Sequence, residues 1–206
     1  AILLYENVGT PQAPAYEWGT DNFANITYTS LYNIRPQFAD LDRDGNMDLV
    51  FTATAGGNTR LWYLLSPPNG QPLFDGQNLL YLDVPVGSTE NATLVDIDLD
   101  GRQDVLVGKS TGELYYYRNT GTGSTHTFSL SSNAYLGLGS GTSRQNLAAA
   151  IGDLDADGRA DLIAGDQTGK LVVYPDFRSG VLEPEENLIL DSYTDTYLAR
   201  SLGGNA

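Results

Sequence analysis

The chain has 206 residues, with 26 acidic side chains against 11 basic ones, a net charge of −15 and no cysteine. So acidic a surface repels phosphate backbones, and no basic stretch with interleaved aromatics offsets it, which argues against a nucleic-acid partner. A disulfide framework is excluded, and no apolar run reaches the roughly 18 residues of a membrane-spanning helix, so no membrane insertion is expected.

In chain order, residues 2–10 read as a strand and a turn. They align with residues 114–122, so that Tyr5, Asn7, Gly9 and Thr10 fall on Tyr117, Asn119, Gly121 and Thr122, an offset of 112. The short, mostly apolar stretch 37–39 leads into residues 40–48, which follow the pattern D-x-D-x-D-G-x-x-D, and Leu49-Val50-Phe51 comes next. The same succession returns at 93–95, 96–104 and 105–107, and again at 150–152, 153–161 and 162–164. The flanking apolar segments read as strands, joined by the acidic loop. A turn and a tyrosine-rich third strand follow, at 114–117 and 171–174. Tyr117 and Tyr174 each stand thirteen residues after the last loop aspartate, and two extra residues in the first repeat move the equivalent to Tyr63. A less regular fourth strand is expected near 79–82, 128–130 and 188–190. Pro36, Ala92 and Ala149, compact residues four positions before each loop, are expected where an innermost strand crowds its neighbours.

The loops begin at 40, 96 and 153, so the period is 56 and then 57 residues. Four antiparallel strands per repeat, without helical periodicity and with 23 glycines for turns, describe one blade of a β-propeller. The expected fold is therefore all-β, an incomplete ring of about three full blades with partial blades at both ends. Residues 1–206 are read as part of one propeller domain: 1–30 the end of a blade, 31–83, 84–140 and 141–192 blades, and 193–206 the start of the next. An open run of blades exposes strand edges, so the rest of its own chain is expected to close the ring.

Each nonapeptide can wrap one hard cation with side-chain oxygens at positions 1, 3, 5 and 9 and the main-chain carbonyl at position 7. The side chains are Asp40, Asp42, Asp44 and Asp48; Asp96, Asp98, Asp100 and Asp104; and Asp153, Asp155, Asp157 and Asp161. Ca2+ accepts six to eight oxygens in a flexible shell, whereas Mg2+ demands a tight octahedron and keeps its waters, so this density of carboxylates favours Ca2+. Gly45, Gly101 and Gly158 at position 6 allow the sharp turn. An Asp-Gly turn alone requires one or two aspartates, not four. Crowding them is unfavourable, since carboxylates about 4 Å apart repel by about 1 kcal/mol in water and about 4 kcal/mol at an effective dielectric of 20. The loops join strands and lack the bidentate Glu of an EF-hand.

The order apolar strand, D-x-D-x-D-G-x-x-D, Leu/Val-rich strand, Gly, turn, Leu-x-x-Tyr resembles the FG-GAP or VCBS repeat of integrin-alpha-type β-propellers. The tract Tyr117-Arg118-Asn119-Thr120-Gly121-Thr122 and its counterpart Tyr5-Glu6-Asn7-Val8-Gly9-Thr10 are similar to such repeats in large secreted bacterial proteins. The resemblance implies that the loop aspartates and the main-chain carbonyls of Asn46, Arg102 and Arg159 ligate Ca2+ at three structural sites. It also implies a secreted or cell-surface location. The family's glycine after the second strand is kept at Gly108 and Gly165, but Thr52 stands there in the first repeat, where the longer connection 52–59 is expected to turn differently. By the same analogy a partner is met through the blade connections 84–90 and 137–144, opposite the loops.

Nothing outside the loops reads as a nucleophile with its base, so no enzyme is expected in these residues. His126, the only histidine, reads as a solvated loop residue. Gly137-Leu138-Gly139-Ser140-Gly141 reads as a connector, and Glu183, Glu185 and Glu186 as a solvated loop. Trp18, Trp62 and most of the thirteen tyrosines are expected to pack between blades, with an exposed few able to stack on sugars. The expected function is a calcium-stabilised extracellular scaffold or binding module for a protein or glycan, serving adhesion or ligand recognition. The alternative is a lectin-like or accessory domain of a secreted carbohydrate-active enzyme with its catalytic residues elsewhere.

Overall fold

The computed structural model describes residues 1–67, 74–122, 125–141, 145–179 and 185–186. Residues 188–190 and 193–206, Glu183 and residues 142–144 lie outside them; the fourth strand of the last sheet falls on Glu185–Glu186, which the sequence reads as a solvated loop. Among the described residues the chain is all-β, with fourteen strands in four antiparallel sheets and only short 3-10 turns besides. No helix there is long and apolar enough to cross a membrane.

Strands β1 (Leu4–Asn7) and β2 (Tyr16–Thr20) form a two-stranded sheet. Strands β3 (Tyr32–Ala39), β4 (Asp48–Ala55), β5 (Asn58–Leu64) and β6 (Leu80–Leu82) form the first four-stranded sheet. The second holds β7 (Asn91–Val95), β8 (Asp104–Gly108), β9 (Leu114–Asn119) and β10 (Phe128–Ser132). The third holds β11 (Ala148–Gly152), β12 (Asp161–Gly165), β13 (Leu171–Tyr174) and β14 (Glu185–Glu186). In every four-stranded sheet sequence neighbours are also spatial neighbours, the meander of a propeller blade. The chain divides into two compact units, Ala1–Ser88 with Gly121–Thr127, and Thr89–Thr120 with Phe128–Ala206.

In the first unit, β4 is buried on both faces, which is why it reads as a continuous run rather than an alternation. Leu49, Phe51, Ala53, Leu64 and Phe74 form its core, joined by Ala24 and Ile26 from the 3-10 turn Phe23–Tyr28. Phe23 meets Phe74 edge-on at 5.8 Å between ring centroids. The β1–β2 pair repeats the β9–β10 connection: a Cβ added to Gly9 would lie 2.3 Å from the Ala13 carbonyl oxygen, and one added to Gly121 would lie 2.0 Å from that of Thr125. The 112-residue offset read from the sequence thus reappears as a shared close approach.

The first repeat departs from the sequence alignment in one detail. Val105 pairs with Tyr117 and Leu162 with Tyr174, and the corresponding Leu49 pairs with Leu64, not with Tyr63. Three residues rather than two are inserted, and they lengthen β4 and β5 instead of looping out. The strands turn at Gly56-Gly57, both at positive φ (+54° and +83°), as a tight two-residue hairpin requires. Pro36, placed by the sequence in a crowded interior, is exposed, and Ala92 and Ala149 are half-buried.

In the second unit, two consecutive four-stranded sheets share one core, which includes Leu106, Leu114, Tyr116, Leu147, Leu162 and Tyr174. They meet closely at Gly108, where an added Cβ would lie 2.0 Å from the Leu147 carbonyl oxygen. The contact is tied by the Thr93 hydroxyl, which donates to the Ala149 carbonyl at 2.8 Å, and by the Leu147 N–H, which donates to the Lys109 carbonyl at 3.1 Å.

Candidate metal centres

Each acidic nonapeptide connects the first two strands of a four-stranded sheet, so that position 1 follows the first strand and position 9 opens the second. Gly45, Gly101 and Gly158 at position 6 have φ of +87°, +83° and +84°, the left-handed conformation anticipated for the turn. Position 4 is left-handed too, at Arg43 (+65°), Leu99 (+58°) and Ala156 (+61°). No residue preference at position 4 disclosed that conformation in the sequence.

The first aspartate closes the turn. A carboxylate oxygen of Asp40, Asp96 or Asp153 accepts the N–H of the position-6 glycine at 3.1, 2.8 or 3.0 Å. The ninth aspartate fastens the loop to the third strand. Asp48, Asp104 and Asp161 are 0, 0 and 3 % exposed. One oxygen of each accepts the N–H at position 2, from Leu41 at 2.7 Å, Ile97 at 3.1 Å or Leu154 at 2.9 Å. The other accepts an N–H at or just past the end of the third strand, from Ser66 at 2.8 Å, Asn119 at 2.7 Å or Asp176 at 2.9 Å. Burial raises the Asp104 carboxyl above its usual range, opposed by the bonds from Asn119, Ile97 and the Tyr116 hydroxyl.

Carboxylate oxygens at positions 1, 3 and 9 lie within 4.8 Å of one another in all three loops: Asp40, Asp42 and Asp48; Asp96, Asp98 and Asp104; Asp153, Asp155 and Asp161. Position 5 stands apart from that grouping. Asp44, Asp100 and Asp157 accept the position-7 N–H at 2.8, 2.9 and 2.8 Å and also bond the side chain of Asn46, Arg102 or Arg159. The Asn46 side chain and amide hold Asp44 below the usual carboxylate range, and Arg159 does the same for Asp157. Desolvation pushes Asp100 the other way, but the Arg102 amide and the charges of Arg102 and Arg118 outweigh it.

The residues at positions 1, 3 and 9 fit a cation. Asp40 Oδ1 is buried and has no hydrogen-bond partner, an unfavourable state for a carboxylate oxygen that coordination relieves. Asp42 is raised above its usual range by burial and then by the charge of Asp48, with Asp44 and Asp40 adding to it, a repulsion that a divalent ion removes. An all-oxygen, carboxylate-rich donor set suits a hard cation.

The loops differ in the positive charge gathered on them. No ion pair joins Asp40, Asp42, Asp44 or Asp48 to a lysine or arginine among the described residues. In the second loop Arg118 Nε lies 2.5 Å from Asp98 Oδ2 and its Nη2 lies 3.5 Å from Asp100 Oδ2, while Arg102 pairs with Asp100 and donates to the Asn119 carbonyl at 3.1 Å. Arg178 Nη2 donates to the Asp96 carbonyl at 2.8 Å. In the third loop Arg159 spans Asp157 at 2.6 Å and Asp176 at 2.5 Å.

His126 is not the solvated residue expected. It is half-buried, its ring edge-on to Tyr63 at 5.6 Å, and burial lowers its pKa against the opposing charges of Asp42 and Asp48. The tyrosines and tryptophans divide. Tyr116, Tyr117 and Tyr174 are buried, and Trp62 is half-buried with its Nε1–H donating to the Ala53 carbonyl at 3.2 Å. Tyr5, Tyr16 and Trp18 are exposed by 55, 66 and 62 %. Tyr5 stands opposite Trp18 and Tyr16 lies two residues along β2, so the three rings share one face of the β1–β2 sheet. In the connection 84–90, Val84 and Glu90 are buried, and Glu90 pairs with Lys109 at 2.6 Å.

A comparison with curated proteins finds no match. The family model of the FG-GAP-like repeat matches residues 96–164, a span that runs from the first aspartate of the second loop to the strand after the third. Over that span, which holds two of the three acidic loops and the contact between two four-stranded sheets, the chain carries an FG-GAP-like repeat.

Proposed function

We propose that this chain is a calcium-stabilised scaffold that recognises a protein or glycan outside the cell, with no catalysis of its own. The observation that carries the reading is the threefold convergence of carboxylates within 4.8 Å at positions 1, 3 and 9. Those residues would hold the ion, and the position-5 aspartates with the main-chain carbonyls of Asn46, Arg102 and Arg159 would complete its shell. Six to eight oxygens on a short flexible loop favour Ca2+ over Mg2+. The ion neutralises a crowd of like charges, and a shell so filled by protein leaves little room for a substrate. Extracellular sites of this kind bind at roughly 0.1–1 mM, and each adds about 1.4 kcal/mol of stability at ten times its dissociation constant. Calorimetric titration and thermal melting in calcium and in chelator test the reading. Expected are saturable calcium binding and a melting temperature several degrees higher with calcium; no binding heat and an unchanged melt would overturn it.

A second reading, a lectin-like or accessory module of a carbohydrate-active enzyme, draws support from the exposed rings of Tyr5, Tyr16 and Trp18. Aromatic faces of this kind stack on sugars. A glycan array probed with the wild-type chain and with Trp18→Ala decides it: binding lost in the variant supports a glycan site, and silence across the array removes it.

A further inference from the structure

We propose that Arg118 is an internal competitor for the second acidic loop and makes it the weakest of the three cation sites. The inference rests on the calcium reading above and ranks the loops within it.

The geometry is specific to one repeat. Asp98 is one of the three carboxylates that converge in the second loop, and its Oδ2 is already held by Arg118 Nε at 2.5 Å. Arg118 projects from β9, reaches Asp100 as well, and is half exposed. Arg102 pairs with the same Oδ2 of Asp100 that Arg118 reaches, and Arg178 reaches in from beyond β13 to the Asp96 carbonyl. Three guanidinium groups therefore border one loop. Among the described residues the third loop has one ion-paired guanidinium, Arg159, whose charge Asp176 offsets; Arg178 lines a cavity with Asp153 and Gly158 but pairs with no aspartate of that loop. The position equivalent to Arg118 there is Pro175, and in the first repeat it is Leu65, so neither counterpart carries a cation.

A divalent ion entering the second loop must take Asp98 from Arg118 or share it. A unit positive charge about 6 Å from a divalent ion, in a water-like dielectric, weakens binding about tenfold. In the first loop, although Arg43 stands at position 4, no lysine or arginine among the described residues is ion-paired to the aspartates, and Asp40 Oδ1 is without a partner. The order of filling is first loop before second, and the second responds over a higher calcium range. Filling it releases Arg118 from Asp98, so that calcium is coupled to the position of a cation on β9.

The test follows the backbone amides of Gly45, Gly101 and Gly158 by 1H–15N NMR as calcium is added to the chelator-treated chain. Each glycine sits at position 6 of its own loop and reports that loop alone. The Gly101 midpoint is expected about tenfold above that of Gly45. Arg118→Gln is expected to bring the Gly101 midpoint down toward that of Gly45 without moving Gly45, which also certifies the fold of the variant. Arg118→Lys, which keeps the charge, is expected to retain most of the wild-type midpoint. If Gly101 responds together with or before Gly45, or its midpoint ignores Arg118→Gln, the ranking is overturned. A chain in which none of the three glycines responds overturns the calcium reading, and the ranking with it.

Discussion

The carboxylate of Asp104 accepts the main-chain N–H of Asn119, fifteen residues further along, at 2.7 Å. The same bond joins Asp48 to Ser66 at 2.8 Å and Asp161 to Asp176 at 2.9 Å. The ninth aspartate is therefore a pin between the acidic loop and the third strand, made by the protein's own hydrogen bonds. Asp104→Ala strips the acceptor from the Asn119 N–H, the Ile97 N–H and the Tyr116 hydroxyl. At about 1–3 kcal/mol for each buried donor left unpaired, and allowing for relaxation, the expected loss is about 3–5 kcal/mol. Asp104→Asn keeps one acceptor oxygen but turns an NH2 toward the remaining donors, and about half that loss is expected. Denaturant unfolding in excess chelator measures both. A loss below about 1 kcal/mol for the alanine variant would show that the pin is not structural.

Position 3 should behave in the opposite way. Asp42 belongs to the same cluster as Asp48, yet it is held above its usual pKa range by burial and by its acidic neighbours, so its ionised form opposes folding when no cation is present. Asp42→Asn is expected to be neutral or stabilising by up to about 1 kcal/mol in chelator, because it removes a like charge. In calcium it is expected to forfeit the first site's contribution. Paired melts of the variant with and without calcium check this. A variant that is destabilised in chelator as strongly as Asp104→Ala would contradict the division of labour between positions 3 and 9.

What the sequence disclosed and what it did not follow from how local each feature is. Aspartates at positions 1, 3 and 9 and the glycine at position 6 act within nine residues, so their spacing announces the loop. The register of β5 depends on three residues inserted some distance from the loop. Tyr63 shares the residue type of Tyr117 and Tyr174, although Leu64 holds their buried place. His126 reached the neighbourhood of Asp42 and Asp48 only through folding, since 84 and 78 positions of chain separate it from them. The Arg118–Asp98 pair was hidden for the same reason: it joins a loop to the third strand, and nothing in the spacing marks Arg118 as a neighbour of the cluster. The left-handed position 4 was invisible because Arg43, Leu99 and Ala156 share no residue type suited to it.

That position can be tested directly. Leu99 has φ +58° and is 70 % exposed, so its side chain contributes little packing to set against the steric cost of the left-handed region, about 1–2 kcal/mol for an ordinary residue. Leu99→Gly removes that cost but loosens the unfolded chain by about 0.5–1 kcal/mol. A net gain of about 0.5 kcal/mol is expected. Leu99→Val, β-branched at the same φ, is expected to lose more than 1 kcal/mol. Thermal melts of the two variants separate these effects, and a valine variant as stable as the glycine one would show that the loop relaxes out of the left-handed region at no cost.

The contact at Gly108 makes the sharpest prediction about packing. An added Cβ would lie 2.0 Å from the Leu147 carbonyl oxygen and 2.7 Å from its carbon, and both are backbone atoms that cannot swing aside as a side chain does. Gly108→Ala must therefore push β8 away from the start of β11, at the upper end of the 1–3 kcal/mol usual for overpacking, about 3 kcal/mol. The displacement would stretch the Leu147 N–H bond to the Lys109 carbonyl, now 3.1 Å, so faster hydrogen exchange at Leu147 should accompany the lower melting temperature. Gly152→Ala is the control, because nothing lies within 4 Å of its Cβ, and a change within about 1 kcal/mol is expected. The first repeat supplies the reason such a residue is tolerated elsewhere. Thr52, four residues after Asp48 as Gly108 is after Asp104, lies inside a strand that runs on to Ala55 rather than ending beside a neighbouring backbone. Equal melting temperatures for Gly108→Ala and Gly152→Ala would mean that the two sheets of the second unit can separate at Leu147 without loss.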